Sequence, residues 1–171
     1  EGKLDDAIAT QREALAIRER FMREVMHPAL KDSALALVRR HQAAGDRVAI
    51  VTATNEFVTR PIADLFGVEA LLAVELERDA EGRATGRAKG VPTFREGKVT
   101  RVEQWLEDLR HAASDFERVT VYSDSHNDLP LLNLVDHPVA VNPDETLADY
   151  ARTRGWTLIE LLVVISLILI L

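Results

Sequence analysis

RVTVYSDSHNDLPLL, residues 118–132, holds a short apolar run, then a cluster of hydroxyls and carboxylates, then the opening of a helix. An unbroken apolar run of this length is the form of a strand buried on both faces of a sheet. Ligands of open parallel sheets bind beyond the carboxyl ends of the strands. Ser123, Asp124, Ser125, His126, Asn127 and Asp128, which follow the run directly, therefore carry weight beyond their residue types. Asp124 and Asp128 are four apart, so a helical turn there points both carboxylates to one place.

The pattern repeats on either side. Upstream, RVAIVT (47–52) is a second such strand, ended by Thr52 and followed by Thr54 and Asn55. A helix over 32–44, with Leu35, Leu37 and Val38 inward and Gly45 to end it, precedes that strand, and a helix over 56–66 follows it. Residues 70–77 form a strand, 79–90 a hairpin or loop, and 98–112 a helix with Val99, Val102, Trp105, Leu106 and Leu109 on one face. Downstream come a short helix (129–135), the strand HPVAVN (137–142), a helix (144–153) and a strand starting at Trp156. Strands separated by helices predict an α/β fold, a three-layer Rossmann-like parallel sheet with helices on both faces. Residues 5–25, where Ile8, Leu15, Ile17, Phe21, Met22 and Val25 recur at helical spacing, have no strand among them and form a separate helical piece.

Composition narrows the function. Of 171 residues, 47% are apolar and 29% charged, which suits one folded domain with a sizeable core. The absence of cysteine excludes disulfides, thiolate zinc sites, iron–sulfur clusters and cysteine nucleophiles, and fits a reducing cytoplasm. The net charge of −7, with basic residues scattered, argues against nucleic acid as a partner. Neither G-x-x-x-x-G-K-[ST], G-x-G-x-x-G nor G-x-S-x-G occurs.

Asp124 and Asp128 suit a hard cation, because Mg2+ is held by one or two carboxylates with waters and substrate phosphate oxygens. Acids also favour a helix N-terminus, and that alone accounts for either residue. An EF-hand is excluded, since Leu129 and Val135 stand where its Gly and Glu belong. His126 and His137 have no zinc spacing, and Lys98, after Glu96 and Gly97 at a helix start, reads as a surface residue.

RVAIVTATN, FREGKV, VYSDSHNDLPLL and HPVAVNPD together resemble the haloacid dehalogenase superfamily, in the branch of phosphoserine-phosphatase-like and histidinol-phosphatase-like hydrolases. The likeness runs from about residue 15 to 156. It implies a Mg2+-dependent hydrolase of small phosphorylated metabolites that works through an aspartyl-phosphate. By the same resemblance Thr52 holds a phosphoryl oxygen, Lys98 is the cationic partner, and Asp124 and Asp128 surround Mg2+. Ala53, Asn55 and Asn127 complete the phosphate site. The family's nucleophile lies in a D-x-D-x-[TS] motif after a first strand, and the 171 residues contain no such motif. The resemblance therefore implies a fragment: residues 1–28 the end of a helical cap, 29–162 a core lacking its first strand, and 163–171 an apolar tail outside the core. The alternative is a non-catalytic phosphate-binding or structural module.

The chain begins without methionine, and LIELLVVISLILIL (158–171) is apolar except at Glu160 and Ser166. From Gly155 this segment resembles the start of type IV pilin-like proteins. That implies a membrane partner only if the apolar run continues, because 14 residues of helix reach about 21 Å, short of the roughly 30 Å of a bilayer core.

Overall fold

A computed structural model describes residues 2–160 and 167–171. The chain opens with α1 (Gly2–Phe21), passes through a π-helical turn (Met22–Met26) and the single turn α2 (His27–Ala29), then enters α3 (Asp32–Ala44). β1 (Val48–Asn55), α4 (Glu56–Leu65), β2 (Ala70–Arg78), β3 (Ala84–Lys89) and α5 (Glu96–Asp108) follow. The second half comprises β4 (Thr120–Ser123), α6 (Leu129–Leu132), β5 (His137–Val141), α7 (Glu145–Arg154), β6 (Thr157–Ile159) and β7 (Leu167–Ile170). The seven strands form one sheet in the order β3-β2-β1-β7-β4-β5-β6. β1 pairs parallel with β2, β4 with β5 and β5 with β6, while β3 lies antiparallel on β2.

Period-2 alternation in the central strands makes two cores and hence three layers. Val51, Val121 and Leu169 face one way and pack with Val102 and Leu106 of α5, Leu132 of α6 and Leu147 of α7. Ile50, Tyr122 and Ile168 face the other way, against Val38 of α3 and Ala63 of α4. The α/β three-layer reading holds. The helix ends follow their residues: Gly45, at φ +88°, closes α3 in the left-handed conformation that only glycine adopts without strain. Asn55 opens α4, its side chain accepting from the Val58 amide at 3.1 Å. The expected hairpin is β2–β3, with β3 exposed throughout.

The C-terminal segment departs from expectation. Residues 167–171 do not trail outside the core; β7 is the middle strand, antiparallel to β1 and β4 together. Leu169 is 0% exposed, and Ile168, Ile170 and Leu171 are buried with it. The reason is hydrogen bonding: without a strand between them, β1 and β4 would each present a buried row of unpaired backbone groups. A run without charge or proline fits that place on both faces. Residues 163–166 of the expected tail lie outside the described residues. Among the described residues no helix is long and apolar enough to cross a membrane.

Removal of residues 163–171 should therefore destabilise the sheet. Burial of one large aliphatic side chain contributes about 1.5–3 kcal/mol, so the truncated chain is expected to lose several kcal/mol in urea unfolding. Leu169→Ala alone should cost about 2–5 kcal/mol. An unchanged unfolding midpoint for the truncated chain would contradict the placement of β7.

Candidate active site

The strand order turns over between β1 and β4: β2 and β3 lie to one side of this pair, β5 and β6 to the other. Such a switch point opens a crevice beyond the carboxyl ends of the strands. Ile50 of β1 and Tyr122 of β4 both lie opposite Ile168 of β7. Thr52 and Asp124, each two residues further on, thus both lie beyond the same end of β7.

Lys98 sits at the heart of the β4 side. It lies in the first turn of α5 on the same face as Val102 and Leu106, which places its ammonium in the interior, 4% exposed. Its Nζ donates to Oδ1 of Asp128 at 2.5 Å. Asp128 is 1% exposed, and its Oδ2 accepts from the Ser123 hydroxyl at 2.6 Å. The Ser123 oxygen in turn accepts from the Ser125 amide at 3.1 Å. This chain of bonds satisfies a buried cation and a buried anion together, the condition under which burying either is tolerable. Lys98 is not the surface residue its position at a helix start suggests.

Asp124 is different. Only half-buried, its carboxyl is pushed up from the usual carboxylate range by burial; its own backbone amide opposes this, and the charge of Asp128 adds to it. Among the described residues no side chain donates to this carboxylate. Its loop is held from below, the Asp144 amide donating to the Asp124 carbonyl at 2.9 Å. The Asp144 carboxylate caps α7 through the Leu147 amide at 2.8 Å and accepts from both the backbone and Nδ1 of His126. Burial raises the pKa of Asp144, and these hydrogen bonds outweigh it to leave the group below its ordinary value.

The remaining expected site residues divide. Thr52 is buried, and its hydroxyl accepts from the Thr54 amide at 3.2 Å. Ala53 is exposed beside it at the strand end. Asn55 spends its side chain on capping α4. Asn127 accepts from Nε of Arg95 at 3.2 Å and donates to the Ser125 hydroxyl, so it ties the Asp128 loop to the start of α5. Asp144 and Arg95 were not singled out by sequence, and Ser123 was marked only as one of the polar residues that follow the strand. Asp144 had a signal in its position just before a helix, whereas Arg95 had none.

The haloacid dehalogenase-like hydrolase pattern matches residues 4–133. The chain belongs to that family. Within the haloacid dehalogenase-like hydrolases, it is 39% identical over 151 residues to a histidinol-phosphatase of Neisseria meningitidis serogroup C, which covers 88% of this chain and 68% of that one. It is 35% identical over 144 residues to the phosphoserine phosphatase SerB1 of Mycobacterium tuberculosis, covering 84% of this chain and 46% of the relative. It thus spans about two thirds of one relative and under half of the other. A solved structure of a Bordetella pertussis protein of unknown function matches with a TM-score of 0.83 and 52% identity, over 86% of this chain and 66% of that one. A phosphoserine phosphohydrolase-like protein of Francisella tularensis shares the fold, with a TM-score of 0.62 at 15% identity over 88% of this chain and 71% of that one.

The Lys98–Asp128 pair makes a sharp stability prediction. Lys98→Met or Asp128→Leu leaves one buried charge alone and should cost about 3–5 kcal/mol. Joint replacement by Lys98→Met and Asp128→Leu should cost much less than the sum of the two single losses. Denaturant unfolding of the four proteins in a cycle checks this, and strict additivity would refute the coupling.

Proposed function

We propose that this chain provides the phosphate- and cation-binding part of a Mg2+-dependent hydrolase of small phosphorylated metabolites, of the phosphoserine-phosphatase-like and histidinol-phosphatase-like branch. The observation that carries the reading is the buried Ser123–Asp128–Lys98 chain beside Asp124, facing Thr52 across the sheet's switch point. A phosphoryl group in transfer spreads negative charge over its equatorial oxygens, and fixed donors converging on it stabilise the transition state. Thr52 supplies a hydroxyl and Lys98 an ammonium already held in place by Asp128.

The donor set fits Mg2+. Asp124 offers a half-buried carboxylate to which, among the described residues, no side chain donates, while Asp128 has one oxygen on Lys98 and the other on Ser123. That leaves one direct carboxylate, with Asp128 adding charge close by, and a magnesium site completed by waters and phosphate oxygens needs no more. When bound, Mg2+ supplies charge neutralisation of the phosphoryl oxygens. Asp124 holds it, and Asn127 orients the loop. In this reading residues 1–28 belong to a helical cap over the site, and a small-metabolite substrate suits the cytoplasm.

Nucleophilic attack is a separate matter. None of the 171 residues forms D-x-D-x-[TS], and the place between β1 and β4, where a parallel strand would deliver a carboxylate to this crevice, is taken by β7. That occupancy favours a second reading, a module that binds phosphate without turning it over.

Two measurements bear on these claims. Mg2+ is expected to raise the thermal midpoint of the chain, and Asp124→Asn should abolish the shift; an unresponsive wild type, or an equally responsive variant, would remove Asp124 from the metal site. Separately, the 171-residue chain should leave a generic phosphate ester intact with Mg2+ present. Turnover above buffer that disappears in Asp124→Asn would show that the chain carries a nucleophile of its own.

A further inference from the structure

Among the described residues no side chain donates to the carboxylate of Asp124, so its direction is set by the backbone of its own loop. That loop is gripped from outside by one residue. The Asp144 amide donates to the Asp124 carbonyl at 2.9 Å, and Oδ2 of Asp144 accepts from the His126 amide at 2.8 Å, so a single residue holds the peptide groups on both sides of Ser125. The His126 ring reinforces the grip, its Nδ1 standing 2.9 Å from the same oxygen. The other oxygen, Oδ1, accepts from the Leu147 amide at 2.8 Å and caps α7.

Asp144 is itself anchored on both sides. α7 is fastened to the core by Leu147 and Ala151, each 0% exposed. Before it, Asn142 stands at φ +41°, in the left-handed region that asparagine enters more readily than most residues, with its amide bonded to the Ile159 carbonyl at 3.1 Å. Pro143 then fixes the next φ. Helix, turn and loop thus meet on one carboxylate. Capping alone needs one oxygen, and serine supplies it about as well as aspartate. The second oxygen, which accepts twice from His126, is what capping leaves unexplained.

We propose that Asp144 is a positioning residue for the cation site: its grip on the loop holds Asp124 in place and so sets the affinity for Mg2+. The proposal rests on the Mg2+ site described above. Groups that hold a metal-binding residue through hydrogen bonds change metal affinity by about 10–100-fold when they are removed.

Titration calorimetry of the 171-residue chain with Mg2+ alone, together with urea unfolding of the metal-free chain, tests this. Asp144→Ser keeps a cap for α7 but cannot reach His126, and should weaken Mg2+ on the order of tenfold while the unfolding midpoint stays close to wild type. Asp144→Glu keeps the charge and displaces the oxygens, and should weaken Mg2+ as well. Unchanged Mg2+ affinity in Asp144→Ser overturns the proposal, and a lower midpoint beside it reduces Asp144 to a helix cap. Wild-type affinity in Asp144→Glu means that Asp144 acts through its charge alone, which also overturns the proposal. If Asp144→Ser loses affinity and stability together, His126→Ala, which leaves the cap untouched, decides: weaker Mg2+ at an unchanged midpoint supports the grip, and wild-type behaviour in both measurements refutes it. Should Asp144→Ser fail to fold, the same two variants, Asp144→Glu and His126→Ala, carry the test. If the wild-type chain takes up no Mg2+, or Asp124→Asn binds it as tightly, the cation site itself is wrong.

Discussion

Two backbone edges, one on β1 and one on β4, have to be closed by a single strand, and everything else in the sheet is arranged around that requirement. β1 with β2 and β4 with β5 are parallel pairs that grow in opposite directions from the gap between them. β7 closes it, pairing Ile168 with Ile50 on one side and Tyr122 on the other. Because the same strand sets the register of both neighbours, it also brings the ends of β1 and β4 that precede Thr52 and Asp124 to one edge of the sheet. The crevice is a consequence of the closure. An antiparallel strand satisfies the hydrogen bonds as well as a parallel one, but it reverses which of its ends lies at the crevice. Structural closure and delivery of a catalytic group are thus separable demands on this one position.

Lys98 links the crevice to the core. Its helix, α5, packs Val102 and Leu106 into the same cluster as Val51, Val121 and Leu169, so the ammonium is carried inward by the hydrophobic stripe of its own helix. A lysine in the first turn meets the positive end of the helix dipole, which disfavours it. Asp128 offsets both the burial and the dipole, and Ser123 holds Asp128 in turn. In the proposed phosphate site a cation fixed in this way would reorganise little when an anion arrives, and such preorganisation is usually the largest single term in catalysis.

The α/β architecture and most of its elements were legible because the signals were local: apolar runs for β1, β4 and β5, a glycine to end α3, and 3.6-residue spacing in α5. That Asp124 and Asp128 follow a strand end was legible for the same reason, whereas the structure commits Asp128 to Lys98 and Ser123 and leaves Asp124 apart from that pair. Two features were not. The burial of Lys98 depends on which face of α5 meets the sheet, and an isolated lysine at a helix start carries no sign of that. The place of residues 167–171 depends on a gap between β1 and β4 that exists only once the sheet is assembled. Hydropathy marks the segment as needing burial and leaves open whether a bilayer, a partner or this sheet provides it.

Strain and burial converge on one short stretch. Between Pro92 and Lys98 the chain holds a fully buried threonine, an arginine at positive φ, a glycine that admits no Cβ and a lysine in the core. None of the four is what stability alone would choose. Lys98 could be exchanged for an apolar residue with Asp128 at little cost, since a buried ion pair is often no better than hydrophobic packing. A turn without Arg95 would shed its strain. What the arrangement secures is geometry: α5 begins where Lys98 reaches Asp128 and where Arg95 reaches Asn127, so two cationic groups from one turn are set against one loop. The turn thus ties the start of α5 to the loop that carries Asp124 and Asp128, and the relative placement of that helix and that loop is what its strain maintains.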